Sequence, residues 1–185
     1  MNCYVLTGGR SRRMGQSKPE MFLERVTAAA RDAFEAVIVV DRAFEGPHDD
    51  EGPIFGIRAA LQHEQTRVSV PHVARTLLSV TNCFILAVDY PLITAEVLRY
   101  VRDRGGVPVW RDKPQPLCAV YDAALLPLIE SRIAEHRFQV RGLIETLIPE
   151  SELRARFAGE PLLNVNTPEE LQEAMAFDER LLASR

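Results

Sequence analysis

Two rhythms of apolar residues alternate along this chain. Short continuous runs rich in β-branched residues mark strands buried on both faces, over Tyr4–Thr7, Ala36–Val40 and Asn82–Val88. Residues three and four apart mark helices. Phe22, Val26, Ala29, Ala30, Ala33 and Phe34 form one such stripe and predict a helix over about Phe22–Phe34. Strand, helix and strand at this spacing make a βαβ unit, which requires a parallel pair. A second helix opens at Gly52-Pro53 and is expected to run to Gln62, and Val73, Leu77 and Val80 predict a short helix over Val73–Val80.

Beyond the third strand, Thr94 caps a helix over Ala95–Arg104, which Gly105-Gly106 stops. Val107–Trp110 reads as a short strand, and Gln115–Tyr121 as a loop entering another. Leu125, Leu128, Ile129 and Ile133 predict a helix over about Ala123–His136. Leu143, Ile144 and Leu147 predict one over about Val140–Leu147. Leu162–Asn166 reads as a short strand. Thr167-Pro168-Glu169-Glu170 is a complete capping box, with Thr at N-cap, Pro at N1 and Glu at N3 of a final helix.

The length, 185 residues, is that of one domain spanning residues 1–185, enough to bury about 70% of the unfolded surface. A net charge of −4 argues against general nucleic-acid binding. The three cysteines, Cys3, Cys83 and Cys118, have no short spacing and read as buried free thiols, which fits a reducing cytosol. The amino end lacks the pattern of a signal peptide, and no apolar stretch is long enough to span a bilayer. A cytoplasmic protein with no membrane partner is the expectation. His48, His63, His72 and His136 have no zinc-like spacing and read as surface residues.

Charge is uneven, however. Arg10, Arg12, Arg13 and Lys18 all precede the first acidic residue, Glu20, and share a short stretch with Gly8, Gly9 and Gly15. Paired glycines after a strand let backbone N–H groups approach an anion, and the cations match phosphate oxygens. The chemistry is that of a polyphosphate cradle; the plainer reading is a basic surface loop. The spacing is neither a Walker A loop nor a dinucleotide fingerprint. Asp89 follows the third strand, where open parallel sheets bind ligands, and suits Mg²⁺ or simply starts a turn. Asn164 and Asn166, alternating at a strand end, suit phosphate or metal-bound water, or a turn before the helix.

Leu6, Gly8, Gly9, Ser11, Arg13, Met14, Gly15 and Lys18 match the nucleotidyltransferase signature L-x-G-G-x-S-x-R-M-G-x-D-K, in the form typical of the molybdenum cofactor guanylyltransferases (MobA). Ser17 departs from it, standing where that family usually has Asp. Gly52, Pro53, Gly56 and Ile57 resemble the family's G-P-L-x-G-I. Asp89, Pro91 and Leu92 resemble its D-x-P-L, and Asn164, Asn166 and Thr167–Leu171 its N-x-N-T-P-E-E/D-L. Gln115 takes the His position of H-P-L-x-A-V-Y.

The resemblance implies an α/β, Rossmann-like domain with a mostly parallel sheet and helices on both faces. It implies transfer of GMP from GTP to the terminal phosphate of molybdopterin, with Mg²⁺ on Asp89 and pyrophosphate leaving. In that reading Arg13, Lys18 and Asp89 are catalytic. Leu6, Thr7, Gly8, Gly9, Lys18, Asp41, Gly52, Pro53 and Asp89 border the nucleotide, with Asp49 and Asp50 as alternatives to Asp41. Gln115, Asn164 and Asn166 face the acceptor. Transient contact with other molybdenum cofactor proteins is a further implication. Two other readings stand beside it: a cytidylyl- or other nucleotidyltransferase on molybdopterin or another phosphorylated acceptor, and a nucleotide-binding homologue without transfer. Thr7-Gly8-Gly9, where CTP- and UTP-using relatives have Ala-Ala-Gly, resembles the GTP-using branch.

Overall fold

The computed structural model describes residues 1–7, 18–41, 44, 52–67 and 82–183. Among these residues the main sheet has four strands: β1 (Asn2–Leu6), β2 (Ala36–Val40), β3 (Asn82–Ala87) and β6 (Cys118–Asp122), in the order β2-β1-β3-β6. β1 pairs in parallel with β2 and with β3, in register Leu6↔Val40 and Leu6↔Ala87, while β6 runs antiparallel to β3. The expected α/β architecture is present, with β6 as an antiparallel edge on a parallel core. A smaller sheet, which the apolar pattern does not predict as a unit, contains β4 (Val107–Trp110), β5 (Lys113–Pro114) and β7 (Leu147–Ile148), in the order β5-β4-β7.

Strand residues alternate between two cores because successive side chains point to opposite faces. Cys3, Val5, Phe84 and Leu86 pack with Phe22, Val26 and Ala30 of α1 (Lys18–Arg31) and with Val97, Leu98 and Val101 of α3 (Ala95–Arg104). Tyr4, Leu6, Cys83 and Ile85 pack on the other face with Ile54, Ile57 and Leu61 of α2 (Pro53–Arg67) and Ile129 of α4 (Leu126–Ala134). Helices therefore cover both faces. α5 (Glu150–Arg154) and α6 (Pro168–Ala183) add Leu153 and Ala174 to the first core. The three thiols are buried and unbridged. Among the described residues no helix is long and apolar enough to cross a membrane.

Several boundaries differ from the sequence pattern. β1 ends at Leu6, α1 starts four residues before Phe22, and α2 continues past Gln62 to Arg67. The Val73–Val80 helix falls outside the described residues. Thr94 caps α3 as expected, accepting from Val97 N, and Gly105 ends it with φ 67°.

Two expected elements do not form. The segment 140–146 is not helical, although Leu143 is buried and Val140 and Ile144 pack beside it. The Arg132 guanidinium donates to the carbonyls of Gln139, Arg141 and Gly142, each at 3.2 Å, and Gly142 has φ 76°. These bonds satisfy the backbone without a helical ladder. Among the described residues Leu162–Asn166 joins no sheet; its backbone bonds run from Leu163 N to Glu160 O at 3.0 Å and from Val165 N to Asp89 O at 2.9 Å. Nor is His63 a simple surface residue, because its Nδ1 is hydrogen-bonded to the Tyr4 hydroxyl at 2.7 Å.

Candidate active site

The strand order places a crevice between β1 and β3. The chain leaves β1 through α1 to β2 on one side, then returns through α2 to β3 on the other, with α1 and α2 on opposite faces. At such a switch the connections diverge and leave a gap beyond the carboxyl ends of the strands, where open α/β sheets bind ligands.

Each connection returns to that edge for a local reason. Glu35, just past α1, donates its N–H to Met1 O, so α1 ends at the amino edge and begins with Lys18 at the carboxyl edge. Glu64, near the end of α2, bonds Asn2 and Tyr4 of β1, so α2 also runs back along the sheet. Gly52 and Pro53 therefore open α2 at the carboxyl edge. Gly52 has φ 120°, a conformation that side chains rarely adopt, and Pro53 occupies the first helical position, where its missing N–H costs nothing.

Leu6 ends β1 at that switch, buried in the second core, and Thr7 follows it. Thr7 donates both its N–H and its hydroxyl to Val40 O, each at 3.0 Å, while Leu6 O accepts from Val88 N at 3.1 Å. Asp41 follows β2 on the far side of β1. It is exposed, and its Oδ1 accepts from Phe44 N at 3.0 Å, closing a turn. Gly8, Gly9, Arg13, Asp49 and Asp50 lie outside the described residues. Lys18 is the first residue of α1.

Asp89 stands two residues past the end of β3, on the other side of the crevice from Thr7. It is half-buried, with its Oδ1 shielded from solvent. The bond from Val165 N to its carbonyl sets the segment 163–166 beside it. Leu163 and Val165 point into the core, which turns the alternating Asn164 and Asn166 the other way. Asn166 Nδ2 donates to Asn164 Oδ1. The capping box forms: Glu170 N donates to Thr167 Oγ1 at 3.2 Å, and Glu170 Oε2 accepts from Thr167 N at 3.0 Å and from Asn166 N at 2.6 Å. The cap thus fixes Asn166 as well as starting α6.

Gln115 joins the same group through Tyr90, whose hydroxyl donates to Gln115 Oε1 at 3.0 Å. Gln115 Nε2 donates to Trp110 O at 3.3 Å and Lys113 O at 3.0 Å. Gln115, Asn164 and Asn166, more than forty residues apart at the extremes, therefore meet next to Asp89. Burial, then the Asp89 carboxylate, push the Tyr90 hydroxyl well above its ordinary value, so it remains a neutral donor. Tyr90 is the residue that sequence reasoning passes over. It fills the unspecified position of D-x-P-L, and its only signal is a hydroxyl at the end of an otherwise apolar run.

The described residues contain no group of three or more His, Cys, Asp or Glu able to cage a metal. A single carboxylate at the crevice suits Mg²⁺, which keeps waters and substrate phosphates as its other ligands. Asp89 fits that pattern.

Comparison with known proteins bears on the family and the fold. The model of the MobA-like NTP transferase domain matches residues 3–152. A probable molybdenum cofactor guanylyltransferase of Aquifex aeolicus is 30% identical, over 95% of this chain and 90% of its own length. The protein of that name from Pelotomaculum thermopropionicum is also 30% identical, over 98% and 95%. The crystal structure of molybdopterin-guanine dinucleotide biosynthesis protein A from Archaeoglobus fulgidus shares the fold, with a TM-score of 0.74 at 23% identity, over 97% of this chain and 100% of that one. With a strand-switch crevice, a carboxylate at its rim and a family match over most of its length, this chain belongs to the MobA-like NTP transferase family.

Proposed function

We propose that this protein transfers GMP from GTP to the terminal phosphate of molybdopterin in molybdenum cofactor biosynthesis. The observation that carries the reading is the meeting of Asp89 with Asn164 and Asn166 at the rim of the β1–β3 crevice. One carboxylate and a pair of amides, set across from the strand that leads into a glycine-rich basic loop, suit a polyphosphate and a second phosphorylated substrate.

The acceptor phosphate oxygen forms a bond to the α-phosphorus as the bond between that phosphorus and the bridging oxygen breaks, and pyrophosphate carries the electron pair away. The nucleophile is already anionic, so no general base is required. The protein aligns the two substrates and offsets charge. Gly8 and Gly9 offer backbone N–H donors to the triphosphate. Arg13 and Lys18 balance the charge that develops on pyrophosphate. Leu6, Thr7, Asp41, Gly52 and Pro53 border the nucleotide, while Gln115, Asn164 and Asn166 lie toward the acceptor. Asp89 holds Mg²⁺, which when bound supplies Lewis acidity to phosphate oxygens.

The test is pyrophosphate release with each nucleotide triphosphate, with and without molybdopterin. Release is expected only with GTP, Mg²⁺ and molybdopterin together. Release with CTP but not GTP overturns the guanylyl assignment. Stabilisation by GTP without any release would leave a binding protein; a ligand at 100 times its Kd adds about 2.7 kcal/mol, a clear thermal shift.

A further inference from the structure

Trp110 and Arg111 stand where β4 turns into β5, and both reach across to one carboxylate. Trp110 Nε1 and Arg111 Nε donate to Glu160 Oε2 at 2.9 and 2.8 Å, and Arg154 Nη1 donates to Glu160 Oε1 at 3.3 Å. The Arg154 guanidinium also lies 4.3 Å from the centre of the Trp110 ring. The Glu160 side chain is only 11% exposed, and three donors, two of them cationic, offset the cost of burying its charge. The turn they hold is a strained one. Arg111 and Asp112 have φ 50° and 59°, left-handed conformations that a two-residue type I′ hairpin demands and that Asn-Gly supplies most readily. Carboxylates from outside the hairpin pin this tip. Besides Glu160, Glu173 takes the Arg111 guanidinium at 2.5 and 3.2 Å, and Glu150 accepts from Asp112 N at 3.1 Å.

Gln115 rides on this hairpin. Its N–H donates to Pro108 O at 2.8 Å and its Nε2 to Trp110 O and Lys113 O, so its side chain goes where the two strands go. Glu160 itself belongs to the other acceptor-side segment. Its carbonyl accepts from Leu163 N at 3.0 Å, in the turn that leads to Asn164 and Asn166. One residue therefore joins the two stretches, holding the first by its side chain and the second by its backbone.

We propose that Glu160 is a positioning residue for the transfer, docking the hairpin that carries Gln115 against the segment that carries Asn164 and Asn166 so that the three amides meet the acceptor together. This rests on the function proposed above. With its oxygens taken up by protein donors, Glu160 touches neither substrate.

Glu160→Ala in the full-length protein tests it. The KM for molybdopterin is expected to rise about tenfold, the effect of one hydrogen bond that a displaced Gln115 no longer makes, with the KM for GTP within about twofold of wild type. In a Gln115→Ala background, Glu160→Ala is expected to add nothing further to the acceptor KM. In ¹⁵N-labelled protein, the side-chain amide signals of Gln115 are expected to shift and to exchange faster. An unchanged acceptor KM, an equal rise in both KM values, an equal penalty in both backgrounds, or unmoved amide signals would each overturn the proposal. Should Glu160→Ala not fold, Arg111→Met frees the hairpin tip while leaving the Trp110 indole bonded. It is expected to raise the acceptor KM alone, and no rise would overturn the proposal. Wild-type protein that releases no pyrophosphate with molybdopterin overturns the function instead, and the amide signals then still decide whether Glu160 holds Gln115 in place.

Discussion

Tyr4 and Tyr90 are both buried, yet their hydroxyls serve opposite ends of the sheet. Tyr4 donates to Glu64 Oε1 at 2.8 Å, and Asn2 donates to the same oxygen. Its partners, with His63 alongside, all lie on β1 and α2, so the cluster fastens one helix to one strand. Tyr90 instead donates to the neutral amide of Gln115 on another segment, next to the Asp89 carboxylate. A buried carboxylate enclosed by donors is a structural device, because its charge is satisfied by the fold. A carboxylate at a rim, beside amides whose orientation is fixed, can still meet a ligand. Burial of a polar group does not by itself mark a site; what matters is which segments it joins and whether the joined groups reach the crevice.

The comparison breaks first at Asp89. Asp89→Asn is expected to lower turnover about a hundredfold or more, the loss of one metal ligand, while the thermal midpoint moves by no more than about 3 °C. Near-normal pyrophosphate release by that variant would remove Asp89 from the metal role. At the other end, Tyr4→Phe takes a donor from the buried Glu64 carboxylate. It is expected to cost about 1–3 kcal/mol in urea unfolding and to leave turnover unchanged. A drop in turnover beyond the unfolded fraction would mean that the amino edge also serves catalysis.

The smallest effect concerns the hairpin that anchors Gln115. Arg111 at its tip bonds Glu173 and Glu160. The Arg111 hydrogen bond holds the Glu173 carboxyl below its ordinary value of 4.5. A group lowered in the folded state stabilises above its unfolded value, and that stability is lost as pH falls through the folded one. Glu173→Gln is therefore expected to lower the midpoint at neutral pH by no more than about 3 °C, since the pair is exposed and screened, and to match wild type in strong acid. A difference that persists in acid would assign the effect to packing instead of charge.

Local chemistry made some parts of this molecule legible in advance. The N-cap at Thr94 and the capping box at Thr167–Glu170 formed as written, because each is a bond between residues three apart. The strand runs held because continuous β-branched stretches have few other ways to be buried. The stripe at 140–147 misled for the converse reason: Leu143 is buried as the stripe demands, but Arg132, from another element, occupies the carbonyls that a helix would use. Leu162–Asn166 has a strand's alternation, but among the described residues no strand pairs with it to make a ladder.

The sequence by itself determined the βαβ core, the caps and the position of Asp89 just past a buried strand. Those depend on spacing, turn chemistry and continuous apolar runs, all local along the chain. Only the tertiary structure decided that β3 lies against β1, that Gln115 bonds the Tyr90 hydroxyl while Val165 bonds Asp89, and that Tyr4 and Tyr90 have different work. A hydrogen bond across tens of residues depends on how whole layers pack, and no local pattern carries that information.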